Sequence, residues 1–458
     1  MPSMTITNFS AGLDLRRSAL TAPAGTLRSL KNLHLTPGGE IEKRLAFVKI
    51  ATVGAQTAGL IELNQKLYVF GPGGPGQTDP SGPYDVGELL LNTPTINSVV
   101  SHTLFDGKAY CVVQTDASGT IGRFYNGAIV SGANGLYSRT YKTKIYAVEG
   151  PVMYFSAVGS PTDWAGTGSG TIDLSLEDPD MSEAMALEAY YDKLAIFSKT
   201  AVQTWQIDPD PLQSQFVQTL RQAGTFAPLS VLQYGSGDVL YVNPSGIRSL
   251  RARNASLAAS VSDVGSPLDP IMQDLFRSQG EAWMSPIISI LQPVTGRFWI
   301  VLPDRVYILS EFPGPKITAW SEYDPGFPIT AICTANQQIF VRDDQNNIYA
   351  YGGIGQATYD ASAVEIILPY HGGEQPATFK RFQGIDAAAE GEWDVYVSLD
   401  PTTGAEDYCG KINGPTFLQG AFNLDGVSTH ISLRLRSSVS GPLILSNMVI
   451  HYELAQPT

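Results

Sequence analysis

The sequence predicts an all-β protein: a ring of short sheets followed by an antiparallel sandwich. Three observations predict it. Short runs rich in Val, Ile, Tyr and Trp recur along the chain, each stopped by Asn, Pro or Gly, and this is the grammar of antiparallel hairpins. These runs group into sets of four at a period of about 40 to 50 residues, the mark of a β-propeller. From about Ala361 the runs lengthen, and His430-Ile431-Ser432-Leu433-Arg434-Leu435-Arg436 alternates strictly, as a strand with one buried face does. The expected organisation is an N-terminal hairpin segment (1–50), a propeller of six or seven blades (51–356) and a C-terminal sandwich or jelly roll (357–458).

The stretch Leu187–Leu250 shows the grammar most clearly. Lys193-Leu194-Ala195-Ile196-Phe197 turns at Lys199-Thr200 into Ala201-Val202-Gln203-Thr204-Trp205-Gln206-Ile207, and Asp208-Pro209-Asp210-Pro211 stops it. Asp238–Val242 turns at Asn243-Pro244-Ser245-Gly246 and returns as Ile247–Leu250. Earlier, Leu27–Leu35 turns at Thr36–Glu40 into Ile41–Val48, with Lys43 and Arg44 expected on a solvated face. Gly59–Leu63 and Lys66–Phe70 flank Asn64-Gln65; Ile96–Leu104 and Lys108–Val113 flank Asp106-Gly107; Gly122–Tyr125 and Ala128–Val130 flank Asn126-Gly127. Lys144–Val148 pairs with Val152–Ser156 across Glu149-Gly150-Pro151. Asp269–Phe276 reads as a helix, with Asp269 as its cap and Pro270 in the first turn, inserted between blades. Gly296–Leu302 and Arg305–Leu309 flank Pro303-Asp304. Ile317–Ser321, Ala331–Cys333, Gln338–Arg342 and Asn347–Tyr351 complete the series.

Composition bounds the function. Charged residues are 16% of the chain, below the usual quarter, and 45 Gly and 30 Pro are spread along it. Low charge with many turns and aromatics suits a surface buried in an assembly. The net charge of −14 argues against a duplex-binding protein, which needs clustered Lys and Arg, but not against a wall past which DNA slides. Cys111, Cys333 and Cys409 are dispersed and odd in number, so no disulfide framework or zinc site is implied. The first residues, Met1–Thr5, do not read as a signal peptide, and no apolar run is long enough for a membrane span.

Several patches resemble the tail nozzle proteins of short-tailed bacteriophages (podoviruses), the tail-tube or head-to-tail connector components below the portal and adaptor. They are the strand ending Trp205-Gln206-Ile207-Asp208-Pro209-Asp210-Pro211, the run Gly224-Thr225-Phe226-Ala227-Pro228, and the hairpin Tyr241–Leu250. Tyr154-Phe155-Ser156 followed by Pro161-Thr162-Asp163-Trp164, the opening from Gly12-Leu13 to Arg44, and the ending Leu443–Glu453 are similar to the same family. The resemblance touches most of the chain in scattered patches. It implies a virion structural protein, assembled in the host cytoplasm as a homo-hexameric ring. Implied partners are the adaptor ring, a tail fibre or needle protein, and double-stranded DNA passing without sequence recognition. Six copies at −14 each would carry −84 formal charges.

No catalytic, cofactor or metal site is predicted. His34, His102, His371, His430 and His451 lie far from one another in sequence, without ligand spacing. Gly71-Pro72-Gly73-Gly74-Pro75-Gly76 matches the dinucleotide fingerprint formally, but its prolines and the Pro-rich sequence after it cannot open the required helix, so a loop is expected. Asp178-Pro179-Asp180 and Asp208-Pro209-Asp210 read as turn residues rather than paired acid and base. Asp343-Asp344-Gln345-Asn346-Asn347 lacks the EF-hand register and reads as a hairpin loop. The alternative to a nozzle is a propeller-type carbohydrate-binding or polysaccharide-degrading virion protein. It requires two carboxylates in one cleft, which a sequence cannot display.

Overall fold

Alternating apolar runs and tight turns fold into seven four-stranded sheets and a two-sheet platform. A computed structural model describes residues 2–71, 77–89, 96–115, 119–132, 135–235, 237–252, 259–373, 375–418 and 422–455. Blades 2 to 6 each take their four strands in chain order from one continuous stretch. They begin at Ser98–Phe105, Tyr137–Tyr141, Ala184–Tyr190, Leu232–Tyr234 and Ile288–Leu291, and every strand pairs antiparallel with the next. Blade 1 departs from this order. Val86–Leu89 lies parallel to Lys66–Phe70, and Gln77–Thr78 forms the outer edge. Residues 72–76 of the glycine-rich loop lie outside the described residues.

Blade 7 closes the ring. Ile329–Ala335, Gln338–Asp343 and Asn347–Tyr351 take their fourth strand from Phe47–Thr52, so the propeller includes residues before the expected boundary at residue 50. The first strands of all seven sheets pack side by side around the axis, and Ile329–Ala335 meets Ala58–Leu63 to complete the circle. The fold is therefore a seven-bladed β-propeller. The turns between first and second strands carry paired left-handed residues, as type I′ hairpins require: Asn64 and Gln65 (φ 52° and 63°), Lys142 and Thr143 (41° and 63°), and Asn336 and Gln337 (47° and 58°). Asn336 also donates its backbone N–H to Gln65 Oε1 (2.7 Å), pinning blade 7 to blade 1.

The platform is an antiparallel sandwich built from both ends of the chain. One sheet orders Phe422–Ser428, Lys380–Glu390, Ile444–Leu454, Ile41–Lys43 and Leu33–Leu35, with Ser3–Ile6 also paired to Ile444–Leu454. The other orders Asp407–Asn413, Glu392–Ser398, Ser432–Ser437, Val364–Ile367 and Ser29–Lys31, then continues into Ile317–Tyr323 of blade 6. Leu433 and Leu435 face inward and Arg434 outward, as the alternation predicts. One apolar core runs from Phe382, Ile385 and Leu435 in the sandwich to Phe298 and Trp320 in blade 6. Propeller and platform thus share both a sheet and a core.

Two local expectations are corrected. Lys43 and Arg44 are not on a solvated face; they are 0% and 1% exposed in the seam. The Lys43 ammonium donates to the carbonyls of Asp360 (2.7 Å) and Val439 (2.6 Å). Arg44 donates to Asn32 Oδ1 (2.8 Å), Asp360 Oδ2 (3.1 Å) and the carbonyls of Leu45 and Asp324. The seam exposes carbonyls that no ladder uses, and these two cations satisfy them. The helix forms as Asp269–Gln279 between blades 5 and 6, but Asp269 is not its cap: its carboxylate takes the Arg248 guanidinium (2.8 Å).

Candidate functional site

The first strands of the blades, wrapped into a ring, leave a channel along the propeller axis. Two cavities occupy it, of about 740 and 370 Å³, and both are lined by Ser101, His102, Tyr137, Leu229, Ile288 and Ile332. The larger opens among the loops at Thr57, Asn97, Ser285 and Asp344. The smaller lies toward the other ends of the same strands, at Glu62, Arg139 and Glu188.

The inner compartment holds an ion pair between adjacent blades: Arg139 Nη2 lies 2.9 Å from Glu188 Oε1. Glu188 is almost fully buried and also accepts the Ala189 N–H at 2.8 Å. Burial raises its pKa, and Arg139 and the backbone donors only partly offset this. Arg139 keeps about a third of its side-chain surface open to the lumen. His102 opens to the channel, and desolvation by the surrounding wall, with the charge of Arg139, lowers its pKa. Ser138 and Ser289 also border this compartment, but their hydroxyls are buried away from its open space and have no hydrogen-bond partner among the described residues. At the mouth, Arg342 is committed to the Gly59 and Thr57 carbonyls (both 2.7 Å) and to Asn346 Oδ1 (2.6 Å). The channel is a set of hydrogen-bonding groups on a largely apolar wall.

The other sequence candidates resolve as structural groups. Asp343 accepts from the Gln345 and Asn347 backbone N–H groups, Asn347 Nδ2 and the Tyr349 hydroxyl, so its oxygens shape the expected hairpin loop. Asp178 caps a short 3₁₀ turn through the Asp180 N–H (3.0 Å) and takes Arg221 Nε (3.0 Å). Asp208 and Asp210 accept the N–H groups of Asp210 (2.9 Å) and Leu212 (3.1 Å). Cys111 and Cys333 are buried in blades 2 and 7, and burial pushes both thiols up; Cys409 lies in the platform, and all three are free. No cluster of three or more His, Cys, Asp or Glu fit for a metal occurs among the described residues.

The histidines are more connected than their spacing suggests. His34 Nδ1 meets the Tyr323 hydroxyl at 2.7 Å, and its Nε2 lies 3.5 Å from Glu42. Burial and the Arg297 charge push its pKa down to about 4. His371 bridges to Ile431, beside His430; burial and that neighbour lower it to about 4 as well. His451 Nε2 lies 2.9 Å from Asp386 Oδ2 on the adjacent strand. Only His102 faces the channel. Arg139 and Glu188 went unnoticed in the sequence, although each sits on the first strand of successive blades.

No family model matches the chain, and no curated protein matches it. Solved structures similar to it include YCF48 bound to D1 peptide, at 10% identity over 72% of this chain and 99% of that one, with a TM-score of 0.37. Virginiamycin B lyase from Staphylococcus aureus with quinupristin matches at 11% identity over 76% and 97%, TM-score 0.37. BamB from Moraxella catarrhalis matches at 9% identity over 68% and 99%, TM-score 0.34. Similarities of this order transfer neither ligand nor activity to this chain.

Proposed function

We propose that the chain is a structural ring subunit: the tail nozzle of a short-tailed bacteriophage, which closes the tail, retains packaged DNA and conducts it at infection. The observation that carries the reading is the fusion of propeller and platform. The sheet that runs from blade 6 into the sandwich, and the seam held by Lys43 and Arg44, make one rigid wall element rather than two hinged domains. The free end of the sandwich supports assembly. There, Asp407–Asn413 and Phe422–Ser428 are outer strands of their sheets, and Tyr408, Phe417 and Val427 are about half exposed. Open edges flanked by apolar side chains are pairing surfaces.

The axial channel of one propeller is filled to cavities of a few hundred cubic ångströms, so a duplex runs between copies in this proposal and not through a blade ring. Acidic walls repel phosphate and let it slide. Duplex binding by the isolated chain at low salt tests the wall: the reading expects no tight isotherm, and a tight one removes it.

A further inference from the structure

One sheet of the sandwich is open on two opposite sides. Among the described residues, Phe422–Ser428 pairs only with Lys380–Glu390, and on the far side Ser3–Ile6 pairs only with Ile444–Leu454. The rest of that far side is closed: Ile41–Lys43 and Leu33–Leu35 fill it, and Leu33–Leu35 packs against Ile317–Tyr323 of blade 6. The Pro2 carbonyl accepts the Tyr452 N–H at 3.2 Å. By the alternation of an antiparallel ladder, the N–H and C=O groups of Ser3 and Thr5 then point away from Ile444–Leu454. A groove of about 670 Å³ borders this edge, walled by Met4, Leu20, Thr21, His371, Gly373 and Pro376. An unpaired edge beside a groove is the form of site that takes up an added strand.

Direction, alternation and charge match the two open strands to each other. Ser3–Ile6, Ile444–Leu454, Lys380–Glu390 and Phe422–Ser428 each run antiparallel to the next, so the outermost two run opposite ways. A second copy that continues the sheet therefore brings Phe422–Ser428 antiparallel to Ser3–Ile6. Met4 and Ile6 pack on the sandwich core, as Phe422 and Leu424 do, and Ser3, Thr5, Asn423 and Asp425 are exposed. Joined in that way, apolar meets apolar on one face and polar meets polar on the other. Asp425 and, on the neighbouring outer strand, Asp407 are exposed and in no ion pair among the described residues. No acidic side chain lines the groove, and the exposed Arg17 lies on the loop that leads to Leu20. We propose that Phe422–Ser428 of one copy adds as a strand to the Ser3–Ile6 edge of the next, so that this sheet runs on from copy to copy. The inference rests on the ring reading above: the contact is head-to-tail, the kind that closes into rings.

Cysteine cross-linking of the full chain tests it, in a Cys409→Ser background that removes the thiol not already buried. Ser3→Cys or Thr5→Cys is combined in turn with Asn423→Cys or Asp425→Cys, so that neighbouring registers are covered. After mild oxidation, at least one combination should give a ladder of disulfide-linked species beyond the dimer on a non-reducing gel. The single variants, with a thiol on one edge alone, should give nothing beyond the dimer. Thr5→Pro supplies a second arm. It removes an outward N–H that the free chain leaves unpaired, so melting should be unchanged while association is lost. Rings that form without a ladder in any combination, or that form undiminished with Thr5→Pro, overturn the inference and leave the ring reading standing. A chain that never associates overturns both.

Discussion

Acidification should loosen the seam between platform and propeller through His34. The ring is buried between Leu33–Leu35 and blade 6. The Tyr323 hydroxyl lies 2.7 Å from Nδ1, and Nε2 lies 3.5 Å from Glu42. This is a neutral imidazole. Its pKa falls from 6.5 to about 4, with burial the leading cause and the Arg297 charge second; Glu42 opposes both and loses. The unfolded chain therefore binds this proton first as pH falls. The neutral ring's contribution is complete above pH 6.5 and is lost as pH drops toward 4. A shift of that size corresponds to about 3 kcal/mol. Urea unfolding of wild type and His34→Gln, compared from pH 7.5 to about 4, isolates the effect because His371 titrates in both. The stability advantage of the wild type should shrink by about 3 kcal/mol across that range. A pH-independent difference between the two proteins would refute the neutral, buried assignment.

Three further perturbations follow from the packing. Lys380 is fully buried, and its ammonium donates to the carbonyls of Gln375 (2.6 Å), Thr378 (2.9 Å) and Thr429 (3.3 Å); Lys380→Met strands all three and should cost about 3 kcal/mol or more in chemical denaturation, whereas an unchanged midpoint would mean water replaces the amine. Trp299 has no exposed surface and packs edge-on against Tyr351 and Tyr323 (centroids 4.8 and 5.4 Å), so Trp299→Ala should lose about 3–5 kcal/mol, and a loss below 1 kcal/mol would show that the blade 6–7 core collapses around the gap. Gly12 holds φ at +56°, and an added Cβ would sit 2.8 Å from both Ala319 Cβ and Trp320 O; Gly12→Ala should lower the melting temperature by roughly 1–3 °C, as about 1–3 kcal/mol of strain does in a chain of this length, and wild-type melting would deny that close approach.

The blades were legible because their signals are local. Asn126-Gly127 and Asp106-Gly107 announce their turns, and the strands beside them carry β-branched and aromatic residues. The closure of blade 7 was not legible. Phe47–Thr52 pairs with Asn347–Tyr351, and nothing near residue 47 names a partner three hundred residues away. Lys43 and Arg44 misled for a related reason. A cationic pair on a predicted strand reads as surface, and only the seam supplies the carbonyls and carboxylate that bury it. The channel shows the same limit. Arg139 and Glu188 form no sequence motif because each lies one blade from the next, and the ring alone brings them within 2.9 Å. Acidic and basic residues recurring on first strands at the blade period are the signal that would have found them.

The central claim is that this chain is a wall of a ring. Electron microscopy of the purified protein at high concentration tests it most directly. The account predicts six-fold rings with the platforms in contact and a central opening wide enough to pass a duplex. A chain that stays monomeric at every concentration, or closes into a ring with no such opening, would contradict it.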